Sequence, residues 1–147
     1  MNFLKSIYQK LTNWGNKFRD FSLLLLRLTL AYGFFEPALT KWKDINAVGD
    51  WFASLGYPFP HLNAYLAATT ELVGVVLLIL GLGTRLISLL LIFVMFVAIT
   101  TVHLRNGFQA GNNGFEIPLY YAIMLFVLFA FGPGKYSLEY FLFKKDK

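Results

Sequence analysis

An apolar run that carries charge constrains this chain more than any other feature. Residues 27–42 read RLTLAYGFFEPALTKW, which sets Arg27 and Glu36 inside what is otherwise a membrane-spanning helix. A charged side chain in hydrocarbon costs at least about 2.5–3.5 kcal/mol, so both residues need a partner, water or a chemical task. Pro37 adds a second constraint. It has no amide to offer the carbonyl of Gly33, and the residue before a proline is pushed out of helical angles. A bend or an end to the helix is expected near Glu36, with the small Gly33 making room.

The rest of the chain has the composition of an integral membrane protein. Of 147 residues, 57% are hydrophobic and 14% charged, against roughly 25% charged in soluble proteins. A span needs about 20 apolar residues, so the length allows about four helices in one domain. The absence of cysteine rules out a disulfide, a CxxC exchange site, a thiolate-held iron–sulfur cluster and a cysteine-based metal site. A net charge of +5 does not point to nucleic acid, because the basic residues gather at the ends of apolar segments. They report orientation instead. Lys5, Lys10, Lys17 and Arg19 at one end, and Lys135, Lys144, Lys145 and Lys147 at the other, place both termini in the cytoplasm. Lys41, Lys43 and Arg105 are left to the outer loops.

In residues 1–20, Phe3, Ile7, Leu11, Trp14, Phe18 and Phe21 recur at steps of three and four with polar residues between them. This is an amphipathic interfacial helix with a basic polar face suited to the anionic inner leaflet. The apolar run after it is too long for a signal peptide and lacks a small-residue cleavage site. Spans are expected at about 21–40, 62–82, 86–104 and 115–131, forming a transmembrane domain over 21–134, with a basic cytoplasmic tail over 135–147. Between the first two spans, Val48, Trp51, Phe52 and Leu55 share helical spacing, which predicts a short helix in the outer interface. The Gly- and Asn-rich loop 105–114 should be ordered by turn and side-chain hydrogen bonds. The expected fold is an all-α polytopic bundle of four transmembrane helices.

In that orientation Glu36, His103 and Glu116 lie within one or two turns of the outer surface. Lys41 borders them, Glu71 lies near the midplane and Arg27 lies deeper. A polar layer between helices is where a bundle holds a small ligand, so Arg27, Glu36, Lys41, Glu71, His103 and Glu116 are the ligand-binding candidates. No catalytic residue is assigned. His103 is the candidate metal ligand, and His61 on the same face raises a bis-histidine haem or a His/Glu metal site. The competing structural reading pairs Arg27 with Glu71 as buried charges and Glu36 with Lys41 at the interface. Nine residues at about 100° each put Arg27 and Glu36 on opposite sides of a straight helix. Phosphate-binding glycine loops, serine elbows and HExxH helices are all missing from the sequence.

The words RLTLAYGFFEPALTKW, ELVGVVLLILGLGTR, TTVHLRNGF, NNGFEIPLYY and GPGKYSLE, in this order and spacing, resemble the DoxX family of small four-helix bacterial membrane proteins. The wording FEPALTKW, WFASLGYPFP and AGNNGFEIPLYY is most similar to DoxX-type proteins encoded beside copper-responsive modified-peptide clusters of the bufferin or oxazolin type. The resemblance implies a bacterial inner-membrane protein. Some family members resemble the membrane subunit of a thiosulfate:quinone oxidoreductase, and others are linked to membrane complexes handling oxidative or thiol stress. The family's polar pattern falls on Arg27, Glu36, Lys41, Glu71, Arg85, His103 and Glu116. With no cysteine, any sulfur chemistry here would need a bound cofactor, a quinone or a partner protein.

Three readings follow. One is a subunit or accessory of a membrane redox system with a quinone between the helices. Another is a non-enzymatic module handling copper or a modified peptide at the outer face, where the peptide carries the metal because carboxylates and one imidazole are poor copper(I) ligands. The third is a scaffold whose charges fix helix register. Apolar surface on both sides of so small a bundle also predicts a homo-oligomer or a larger membrane or redox partner within the lipid bilayer.

Overall fold

The computed structural model describes residues 2–143. Among these there is no strand, and the α-helices are α1 (Asn2–Lys43), α2 (Ile45–Ser54), α3 (Pro60–Leu80), α4 (Thr84–Ala98), α5 (Glu116–Phe131) and α6 (Leu138–Phe143). A π turn at Ile99–His103 and a 3-10 turn at Leu104–Asn106 prolong α4. Three helical stretches, Phe3–Lys43, Pro60–Leu80 and Thr84–Asn106, are long and apolar enough to cross a membrane. The fourth expected span is α5, which is apolar but has 16 residues. Lys144, Lys145 and Lys147 of the expected basic tail lie outside the described residues.

The helices close into a ring: α1 packs on α3, α3 on α4, α4 on α5, and α5 back on α1. Leu23, Leu30, Phe34, Leu78, Leu91 and Leu125 meet at its centre. Small residues carry the α1–α3 side, where Ala38, Ala64 and Ala68 are fully buried, as expected where van der Waals contact must replace a hydrophobic driving force. Helix α2 lies against α3, with Asp44 capping its first turn by accepting from the Ala47 amide at 3.0 Å. Of its predicted face, Trp51 and Leu55 stay largely exposed.

Of the bend or end expected near Glu36, the end does not occur: α1 runs through Pro37 to Lys43. One missing amide costs one hydrogen bond, which a packed transmembrane helix tolerates. Nor does any break mark the boundary expected at residue 20, because α1 is continuous from Asn2.

At the opposite end of the bundle from Lys41, fully buried Arg27 closes the fold. Its Nη1 donates to the carbonyls of Leu78 at 3.0 Å and Ile79 at 3.3 Å, and its Nη2 donates to the carbonyl of Tyr136. The last carbonyls of a helix lack partners and carry partial negative charge, so they take the two terminal nitrogens without a direct carboxylate partner, while Nε is left with no hydrogen-bond partner among the described residues. Gly81 ends α3 with φ 65°, and a Cβ added to it would sit 2.1 Å from Arg27 Nη1. Glu139 at the start of α6 accepts from the Thr84 amide at 3.2 Å, capping α4.

Candidate functional site: a cavity floored by an ion pair

Lys41 lies fourteen residues beyond Arg27. At about 100° per residue this brings it back to within about 40° of the same helix face, so Arg27 and Lys41 both turn inward. There Lys41 Nζ donates to both oxygens of Glu71, at 2.6 and 2.5 Å. The Glu71 side chain is 2% exposed and that of Lys41 25%, so the carboxylate is sealed while the ammonium keeps some access. The expected Arg27–Glu71 pair is thus absent. Arg27 binds carbonyls seven and eight residues further along α3, about 10–12 Å away along the helix axis. The expected Glu36–Lys41 pair is absent too, because five residues place Glu36 about 140° round the helix, where it is exposed.

The pair lines a cavity of about 350 Å³ between α1, α3, α4 and α5. Its apolar wall comes from Phe34, Pro37, Met95, Ile117 and Pro118, and its polar groups from Lys41, Glu71, His103, Asn113 and Tyr121. Gly33 is small for a reason seen only in three dimensions: a Cβ there would lie 2.0 Å from the Tyr121 hydroxyl. The Tyr121 ring leans on Phe34 with centroids 5.4 Å apart. Among the described residues its hydroxyl has no hydrogen-bond partner.

His103 ends the π turn, which slips one extra residue into the α4 register. Its Nδ1 lies 2.8 Å from the Asn113 carbonyl oxygen. A carbonyl only accepts, so Nδ1 carries the proton and, in the neutral ring, Nε2 is an acceptor. Asn106 Nδ2 donates to the same carbonyl at 3.1 Å. The loop beyond is tied as its composition predicts: the amides of Phe115 and Glu116 donate to the carbonyls of Gly107 and Phe108. Glu116 opens α5 and ties it to this loop, outside the cavity lining. Its carboxylate accepts from the Ala110 amide at 3.0 Å and from the Tyr120 hydroxyl at 3.2 Å.

Of the six sequence candidates, the structure therefore gathers Lys41, Glu71 and His103. Arg27, Glu36 and Glu116 lie elsewhere. His61 packs over Gly49 and approaches Asp50 at 3.3 Å, outside the cavity. Among the described residues no three His, Asp or Glu side chains come together in an arrangement fit to hold a metal. Arg85 is exposed near Gly132 at the Arg27 end. Sequence reasoning missed Tyr121, whose signal was a phenol inside an otherwise apolar span.

Chemically, the cavity offers a cationic donor, a carboxylate, a free phenol and an imidazole acceptor against an apolar wall. Its volume is in the range of small-molecule sites. The fold and cavity together define a small all-α membrane protein with an ion-paired pocket between its helices. The chain belongs to the DoxX family, whose profile matches residues 22–104. A Haemophilus influenzae protein of uncharacterized function is 38% identical over 126 residues, covering 80% of this chain and 81% of its own. CatD of Bacillus subtilis, named provisionally as an oxidoreductase, is 32% identical over 133 residues, 90% of this chain and 95% of its own. The Escherichia coli inner membrane protein YphA is 32% identical over 75 residues, 51% of this chain and 54% of its own. No solved structure matches.

Proposed function

We propose that the chain is a bacterial inner-membrane subunit of a redox system and holds a quinone head group in the cavity beside Lys41 and Glu71. The observation that carries this reading is a buried ion pair lining an apolar-walled cavity of quinone-compatible size. A pair serving stability alone gains nothing from a neighbouring void, because buried pairs seldom outperform packed apolar residues. The oxidoreductase name of the CatD relative supports the same direction. So does the donor set: the Tyr121 hydroxyl and the third Lys41 proton are free for a head group's oxygens, while Phe34, Met95 and Ile117 suit its ring. When bound, a quinone supplies two-electron, two-proton chemistry, and a partner redox protein supplies or takes the electrons. This chain's part is to orient the head group, exclude water from the Glu71 side and hold protons at Lys41 Nζ and Tyr121 Oη. With both termini cytoplasmic, as the basic residues of the Arg27 end favour, the cavity belongs to the outer half of the membrane.

The test is mass spectrometry of organic extracts from protein purified in mild detergent, alongside Lys41→Met and Tyr121→Phe variants that keep their helical circular dichroism. Near-stoichiometric quinone in the native protein, with at least a tenfold loss in both variants, is the expected result. Folded native protein that neither carries nor binds a short-chain quinone would defeat the reading.

A further inference from the structure

Apart from Phe3 and Tyr8, the exposed large apolar residues of α1 follow one order. Within the first twenty residues they include Leu4, Ile7, Leu11, Trp14 and Phe18, at alternating steps of three and four. The same steps continue without interruption through Phe21, Leu25, Leu28, Tyr32 and Phe35, and on to Trp42. Within the bilayer an exposed apolar face is expected. In the first twenty residues it is not, since α1 has 42 residues, about 63 Å of helix against a hydrocarbon core of about 30 Å.

The period decides between occupants of this face. A helix lying on a flat lipid surface matches 3.6 residues per turn. A strict seven-residue repeat drifts by about 20° per heptad on a straight helix and stays on one face only if two helices wind around each other. From Leu4 to Trp42 the repeat runs for more than five heptads, an accumulated drift of about 100°. With Leu4, Leu11 and Phe18 at one core position and Ile7, Trp14 and Phe21 at the other, Lys10 and Lys17 fall at the flanking position. In a parallel pair they face Gly15 and Ser22 of the next heptad, so no cation opposes a cation. An antiparallel pair would set lysine against lysine. Copies inserted in one membrane share one orientation, which makes the parallel pairing the natural one.

We infer that α1 is a self-association helix that winds in parallel around α1 of a second copy of this chain, beginning outside the bilayer and continuing into it. Leucine where two-stranded coils favour β-branched residues, with tryptophan and phenylalanine opposite, admits more than two strands; the number is read from the experiment.

Because the chain has no cysteine, single cysteines report cleanly. Leu4→Cys, Leu11→Cys and Phe18→Cys are compared with Gln9→Cys and Asn16→Cys in native membranes under a mild oxidant. All five positions are exposed, so folding is not at stake. Seam positions should cross-link at least tenfold faster than the other two, with the largest cross-linked or native-mass species giving the number of strands. A Trp14→Lys, Phe18→Lys variant should then lose that oligomer while keeping its helix content. Equal rates at all five positions, no cross-link at any, or spin labels at the seam all buried in lipid headgroups would overturn the inference.

Discussion

Replacing Lys41 by methionine keeps most of the side chain's length and removes its charge, while Glu71 stays 2% exposed with no cation beside it. Breaking a buried pair from one side costs about 3–5 kcal/mol. The reverse change, Glu71→Gln, strands an ammonium whose side chain is already 25% exposed and can turn toward water, so its cost falls to about 1–3 kcal/mol. Removing both charges together leaves neither stranded, and the double variant should lie within about 1–2 kcal/mol of native. The expected coupling is therefore at least about 2 kcal/mol, a factor of roughly thirty in the folding equilibrium. Unfolding of protein in mild detergent by titration with a denaturing detergent, followed by tryptophan fluorescence, measures all four corners of the cycle. A Lys41→Met cost below that of Glu71→Gln, or single costs that add to within about 0.5 kcal/mol, would refute the account of an asymmetrically sealed pair.

Gly33→Ala should destabilise by about 1–3 kcal/mol through overpacking against Tyr121, and Tyr121→Phe should recover part of that cost in the same unfolding assay; no recovery would show that the hydroxyl is not the obstacle. Arg27→Lys should fail to restore what Arg27→Met loses, because one ammonium cannot reproduce the fork that reaches Leu78, Ile79 and Tyr136. Limited proteolysis should then cut residues 132–143 in both variants, and native-like resistance in the lysine variant would count against the clamp. His103→Ala should speed hydrogen exchange in residues 104–114 while changing global stability by less than about 1 kcal/mol, since its ring anchors that loop through Asn113.

Hydropathy and helical spacing carried the fold class: the described residues form helices and no strand, three stretches of them long and apolar enough to cross a membrane, because apolar period and bilayer length both act locally. Three of the six candidate residues, Lys41, Glu71 and His103, line the cavity, and the pairings read from depth do not form. Arg27 and Glu71 were matched by depth alone, when the fourteen-residue interval from Arg27 to Lys41 already put both cations on one face. The carbonyls that satisfy Arg27 belong to the backbone, which residue identity does not reveal. Pro37 suggested a bend or an end, yet α1 does not end there, because Phe34 and Ala38 on either side are buried and the packing outweighs the loss of one amide. The approach of Tyr121 to Gly33 arises only where α5 meets α1, so no local sequence pattern encodes it.

The brevity of α5 reaches beyond the bundle. Its 16 residues span about 24 Å, some 6 Å less than the hydrocarbon core. A span that short would be met by thinner lipid beside it, at a fraction of a kcal/mol per ångström. The other three walls are long enough to need no such accommodation, so the mismatch would be lopsided. A dimple on the side of the loop 107–114 would bring headgroups and water toward the flank where Ile117 and Pro118 wall the cavity, and would favour thinner patches of membrane.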